Sequence, residues 1–190
     1  MARPRQFDEE GAVAAAMRAF WIAGYDGVST QQLCTATSLG RSSIYNTFRS
    51  KRDLFERALR RYMADRNAET FALLDGPGSA REKIRALLYR VVDAAAGDPL
   101  GCLVVNATVE LGQRDPEVAR LLQADLHRRL AALTTALVAG QQAGEIAAER
   151  DPADLAQFVV ATIGGMQVAA RGGADRATLA AIAEVALAAL

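Results

Sequence analysis

The chain is predicted to be all-α, with about nine helices arranged as a short front module and a longer back bundle. Three observations predict it. Apolar residues recur at three- and four-residue steps along nearly the whole length. Alanine is abundant and β-branched runs are short, a composition that favours helix over strand. No Asn-Gly pair occurs, the Asp26-Gly27 pair precedes a helix start, and Asp75-Gly76 runs straight into a proline. At 190 residues, half of them hydrophobic and only 5 of them proline, the chain is long enough to bury a core and too apolar to be disordered.

Proline and glycine set the helix ends. Asp75-Gly76-Pro77-Gly78 is the clearest break. Gly97-Asp98-Pro99, Arg114-Asp115-Pro116 and Arg150-Asp151-Pro152 are further stops, because proline is tolerated only in a helix's first turn. Gly172-Gly173 is another. These cuts give helices near 7–24, 30–37, 41–47, 51–74, 79–96, 100–113, 116–143, 152–171 and 175–189. No repeat and no low-complexity linker interrupts them. The expected division is 1–50 and 51–190, with the helix over 51–74 linking the two.

In the first helix Val13, Met17, Phe20 and Trp21 lie on adjoining turns, and Gly24 and Gly27 bracket its end. Ser29 with Gln32 three residues on is a capping box that opens the second helix. Thr37, Ser38 and Leu39 make a tight connection. Gly40 is the N-cap of the third helix, and Ser50, followed by Asp53, opens the fourth. On the third helix Ile44 and Phe48 point inward. Arg41, Ser42, Tyr45 and Asn46 form the opposite face, with Ser43 and Thr47 alongside. That face is polar, short-armed and rich in donors. A helix in the DNA major groove needs such a face: arginine bonds guanine bidentately, asparagine bonds adenine, and serine bonds several edges. Two short helices on a tight turn, braced by a longer one, describe a helix-turn-helix.

The cations at the helix starts point the same way. A helix N-terminus is partly positive, so Arg41, Lys51 and Arg52 each sit there at a cost of about 0.3–1 kcal/mol. Asp53 offsets part of it. A DNA phosphate beside these starts would supply the missing negative charge, and backbone N–H groups there bind phosphate in any case. Arg49, Lys51 and the hydroxyls of Ser29, Thr30 and Tyr45 are placed to join. The plain alternative is a set of solvated surface charges. Formal net charge is zero, which excludes a protein that simply coats nucleic acid, but residues 1–66 carry +4 and 67–190 carry −4.

The segments AMRAFWIAGYDGVSTQQL (16–33) and SSIYNTFRSKRDLF (42–55) resemble the N-terminal domain of the TetR family of bacterial transcriptional regulators. Aromatic, basic and apolar positions all keep register over about a third of the chain. GCLVVNATVELGQRDPEVA (101–119) is similar to a segment shared by some members. The resemblance implies an N-terminal helix-turn-helix DNA-binding domain and a C-terminal helical ligand-binding and dimerisation domain. It also implies that Arg3 and Arg5, ahead of the first helix, touch DNA; a basic tail with no set role is the alternative. There are two departures. Ser38 stands where the family usually has glycine, so the turn is expected to differ slightly, because a left-handed serine costs on the order of 1 kcal/mol. Thr47 stands where many members have histidine, at a position implied to approach DNA.

A single short reading helix contacts few bases, and a dimer matches palindromic half-sites. Over 155–170, Leu155, Phe158, Val159, Thr162, Ile163 and Met166 surround more than one helix face, and a helix apolar on several sides is buried on several sides. Gly164 and Gly165 each cost about 1 kcal/mol against alanine, reasonable where another helix must come close. The last helix carries Leu179, Ile182, Ala183, Ala186, Leu187 and Leu190 at helical spacing. Leu155, Val159, Gly165, Ala169, Leu179, Ile182 and Ala186 are the expected homodimer contacts; the alternative is a monomeric core. The resemblance places a four-helix dimer interface here.

The middle helices are expected to enclose a pocket for an apolar or aromatic small-molecule effector. Its candidate residues are Tyr62, Tyr89, Cys102, Asn106, Glu110, His127, Phe158, Thr162 and Met166. Cys102, near a helix start, is either a reactive electrophile or redox sensor or a buried small hydrophobe. Cys34 is expected to pack in the front module. The function expected is a ligand-responsive regulator released from double-stranded operator DNA when the effector repositions the helix over 51–74. A helical adaptor is the alternative. No metal cluster, phosphate loop or catalytic triad is present in the pattern, so neither an enzyme nor a cofactor is expected. With two distant cysteines, no signal-peptide core and no charge-free apolar run of about 18 residues, the expected setting is the cytoplasm, with no membrane partner.

Overall fold

The computed structural model describes residues 8–94 and 101–190. These form nine α-helices: α1 (Glu9–Gly27), α2 (Thr30–Thr37), α3 (Arg41–Thr47), α4 (Lys51–Asp75), α5 (Ala80–Ala94), α6 (Leu103–Leu111), α7 (Pro116–Gln142), α8 (Pro152–Arg171) and α9 (Arg176–Ala188). Local chemistry explains most of the ends. Asp115, Asp151 and Asp175 are N-caps whose carboxylates accept the first free N–H groups of α7, α8 and α9. Pro116 and Pro152 follow at positions where a missing N–H is no loss. Ser29 and Gln32 form the expected capping box on α2, and the Ser50 side chain accepts from Asp53 N–H at 3.1 Å.

Two turns depend on the left-handed region. Gly24, at φ 77° and ψ 175°, interrupts α1 and leaves residues 25–27 as a separate turn. A Cβ there would meet Glu110 Oε2 at 2.9 Å. Ser38, at φ 56° and ψ 28°, closes α2 in the left-handed conformation, so the expected change of turn does not occur. The closing bond from Leu39 N–H to Cys34 O at 3.1 Å, with Leu39 packed on the core, holds serine where glycine is easier.

The helices bury two cores. The first joins Ala16 and Phe20 of α1, Leu33 of α2, Ile44 of α3 and Leu54, Phe55 and Leu59 of α4 to Leu103 and Ala107 of α6 and Val118 of α7. Phe20 meets Phe55 edge-to-face at 5.1 Å. Cys34 is half-buried against this core. The second core joins Ile84 and Leu88 of α5, Leu137 of α7, Val159 and Met166 of α8, and Leu179 and Ala183 of α9. By length and composition α8 alone among the described residues could cross a membrane; here one side of it fills the second core.

Candidate functional site

Burial of Leu33, Ile44 and Phe48, each 1 % exposed or less, decides which side of α3 faces outward. Arg41, Ser42, Ser43, Tyr45 and Asn46 are exposed on it, and Thr47 is half-buried. Thr30 Oγ1 lies 3.3 Å from Tyr45 Oη, which ties the start of α2 to the middle of α3. The Arg41 guanidinium is 5.9 Å from the Tyr45 ring centre, and Lys51 Nζ is 4.6 Å from that of Tyr25. Ser29 is exposed at the start of α2. Arg3 and Arg5 lie outside the described residues.

Arg52 is different from Arg41 and Lys51. It donates to Asp115 at 2.6 Å, Glu117 at 2.8 Å and Glu56 at 3.0 Å. Its counter-charge therefore comes from the first turn of α7, not from a phosphate as expected. Asp115 and Glu117 favour that place because a helix start attracts carboxylates.

A second set of links fastens the end of α1 to α6 and α8. Glu110 accepts from Tyr25 N–H at 2.8 Å and from Asp26 N–H at 2.7 Å, capping the turn that Gly24 opens. Arg114 pairs with Asp26 at 3.0 Å. Trp21 Nε1 donates to Gly101 O at 3.2 Å, and Arg171 donates to Ile22 O at 3.1 Å. The α1 end receives a carboxylate on its free N–H groups and a guanidinium on its free carbonyls, as helix ends require.

Beyond this junction lies a cavity of about 690 Å³ between α4, α5, α6, α7 and α8. Of the residues expected around a pocket, Tyr62 and Cys102 line it. Burial is the largest effect on the Tyr62 phenol and, with the neighbouring Cys102 thiol, pushes it well above its ordinary range. The others sit elsewhere. Glu110 is taken up by the α1 cap, and Asn106 is half-buried on α6 outside the cavity. Tyr89 donates to Glu184 at 2.6 Å on the outer side of α5; this bond raises the phenol and lowers the carboxyl. His127 is exposed, and Met166 is buried in the second core at 1 % exposure. Phe158 is 40 % exposed and Thr162 half-buried on α8, both outside the cavity wall.

The wall instead holds a polar trio that helical spacing alone did not reveal. Asn67 of α4 donates to Asp125 Oδ1 of α7 at 2.7 Å, and Arg129 Nε lies 3.0 Å from Asp125 Oδ2. The Asp125–Arg129 spacing of four was visible in sequence, but it is also the spacing of an ordinary surface ion pair.

The outer faces of α8 and α9 expose apolar residues. Phe158, Ala161, Gly165 and Val168 run along α8; Ala181, Ile182 and Val185 run along α9. Of the expected dimer contacts, Gly165 and Ile182 are on these faces and Ala169 is half-buried. Leu155, Val159, Leu179 and Ala186 turn into the protomer's own core, at 4 % exposure or less, because a stripe that fills one core cannot also face outward.

Two family models match the chain. Residues 12–58 match the model described as bacterial regulatory proteins, tetR family. Residues 80–186 match the tetracyclin repressor-like C-terminal domain. The HTH-type transcriptional regulator YezE of Bacillus subtilis is 32 % identical over 84 % of each chain. The HTH-type transcriptional repressor ComR of Escherichia coli is 30 % identical over 95 % of this chain and 88 % of its own. Among solved structures, a cysteine-substituted mutant of the TetR family transcriptional regulator CifR, complexed with 26-bp double-strand operator DNA, superposes with a TM-score of 0.87 at 33 % identity, covering 99 % of both chains.

Proposed function

The chain belongs to the tetR family of bacterial regulatory proteins, and from that premise we propose that it is an operator-binding transcriptional repressor, dimeric and released by a small-molecule effector. One observation carries this reading. A single helix, α4, has Leu54, Phe55 and Leu59 in the core that holds α3, and Tyr62, Met63 and Asn67 on the cavity wall. Whatever fills the cavity bears on the helix that positions the DNA-facing one.

In this mechanism Arg41, Ser42, Tyr45 and Asn46 read base edges, while Ser29, Thr30, Ser43, Thr47 and Lys51 fix the register on phosphates. Two copies pair through the exposed α8 and α9 stripes in a twofold interface. Effector binding favours a position of α4 in which the two α3 helices no longer match successive half-sites. The relative CifR, bound to operator DNA, supports the DNA part of this reading. The cytoplasm, where bacterial DNA lies, is the setting.

Selection of bound duplexes from a random pool at near-physiological salt tests it. A palindrome should be enriched; binding without enrichment would reduce the interaction to phosphate contact and sink the proposal. Gly165→Glu is the control for pairing. A Cβ at Gly165 meets nothing within 4 Å, so the protomer should fold, sediment as a monomer and enrich no palindrome.

A further inference from the structure

We propose that the cavity takes an amphipathic organic anion, a carboxylate on an apolar body, anchored by the Arg129 guanidinium. This deepens the effector reading above and rests on it. Most of the wall is apolar, including Trp21, Met63, Val104, Leu122, Leu133 and Ile163. Set into it is the trio of Asn67, Asp125 and Arg129, with Asn67 at 3 % and Asp125 at 5 % exposure. A buried ion pair seldom stabilises a fold more than apolar packing of the same volume, so a wall that keeps one calls for another reason.

The hydrogen bonds within the trio show which sign of ligand it is short of. One Asp125 oxygen accepts from Asn67 at 2.7 Å, and the other lies 3.0 Å from Arg129 Nε in an ion pair. Arg129 is under-satisfied. Its Nε is buried and close to Asp125, but the N–H is not aimed at the carboxylate. Its terminal N–H groups have no hydrogen-bond partner among the described residues, and the side chain is 26 % exposed where it lines the cavity. The other charged wall residues do not change the sign. Arg66 pairs with Glu69 at 3.1 Å, and Arg90 donates to the Glu69 backbone oxygen at 3.2 Å. The charged wall thus has three guanidinium groups against two carboxylates, both of them already paired. What it lacks is an acceptor. A guanidinium edge fits a carboxylate in a bidentate pair, and the apolar remainder of the wall sets the chemistry of the ligand's body. A cationic ligand would meet an occupied Asp125 and an excess of positive charge. Asn67 and Asp125 also link α4 to α7, so an anion drawn to Arg129 sits beside a contact between those two helices.

The test is calorimetric titration of the full chain with phenylbutyrate, phenylbutylamine and phenylbutanol, which share one apolar body. The carboxylate should bind tighter than the amine and the alcohol by roughly tenfold or more. Asp125→Asn removes the competing negative charge and keeps an acceptor for Asn67, so it should tighten carboxylate binding. Arg129→Gln should weaken it by roughly tenfold or more; its melting temperature is measured alongside, and Asp125→Asn carries the test if that variant unfolds. A preference for the amine, carboxylate binding lost in Asp125→Asn, an alcohol as tight as the acid, or no binding of any probe overturns the proposal. Operator binding is measured separately. A protein released from its palindrome by the alcohol and not by the acid keeps the regulator reading and loses this one. A protein that binds the acid with the expected response to Asp125→Asn but selects no DNA keeps this one and loses the regulator reading.

Discussion

The core around Phe20 and the core around Leu137 are built from the same kinds of side chain, but they are fastened differently. The first takes in α6 and the start of α7, and its seams are polar and directional: Glu110 on the Tyr25 and Asp26 N–H groups, Arg171 on the Ile22 carbonyl, Arg52 on Asp115 and Glu117. The second is held by apolar packing. Its ion pairs, Arg85–Glu184 and Arg176–Asp93, are exposed and typically contribute little; Glu145 on the Ala80 N–H and Tyr89 on Glu184 add directional links at its edge. The difference teaches where the molecule specifies geometry. The orientation of the helix-turn-helix module on the bundle is set by directional contacts. The bundle itself is set by volume and pattern, which tolerate repacking.

The most severe way to break this comparison is Phe20→Ala. Phe20 is fully buried, and its truncation should cost about 3–5 kcal/mol. Hydrogen exchange should then rise across α1 to α3 and α6 while α8 and α9 stay protected. Equal loss of protection in both cores would show that they unfold as one unit. Next in size, Arg41→Ala should weaken operator binding by about 1–3 kcal/mol per half-site and leave the melting temperature unchanged, since the side chain is exposed. A shift in melting temperature without a change in DNA affinity would make Arg41 structural. Glu110→Ala removes the cap on two N–H groups and should cost about 1–2 kcal/mol. Because α6 also lines the cavity, the same variant should change how strongly an effector releases DNA; unchanged release would mean that α6 plays no part in coupling. The smallest effect is a gain. Ser38→Gly should stabilise the first core by about 0.5–1 kcal/mol, since glycine accepts the left-handed conformation without strain. A loss in thermal unfolding would mean that the serine side chain holds the turn.

The helices and the outward face of α3 were legible in the sequence because both follow from periodicity and from caps that act within four residues. Ser29–Gln32, Ser50–Asp53 and the inward Ile44 and Phe48 are of this kind. The cavity was legible only as a requirement. Tyr62 and Cys102 line it, whereas Glu110, an equally plausible polar residue on an apolar helix, turns the other way to cap α1. Over 155–170 the sequence reads as apolar on several sides and the last helix as an apolar stripe, but periodicity does not say which side meets the protomer's own core. Leu155 and Val159 are inside; Phe158 and Ile182 are outside.

The sequence by itself determined the elements, most of their ends and the polar outward face of α3, since these rest on interactions between residues near in the chain. Only the tertiary structure decided the partners of the charged groups. Arg41, Lys51 and Arg52 look alike in sequence, each a cation in the first turn of a helix. Arg52 alone finds Asp115 and Glu117, more than sixty residues away. Asp125 and Arg129 look like a surface pair until Asn67 of α4 and the cavity wall close around them. A charge takes its counter-charge from whatever the fold brings within about 4 Å, and that distance is set by helix packing, which local sequence does not encode.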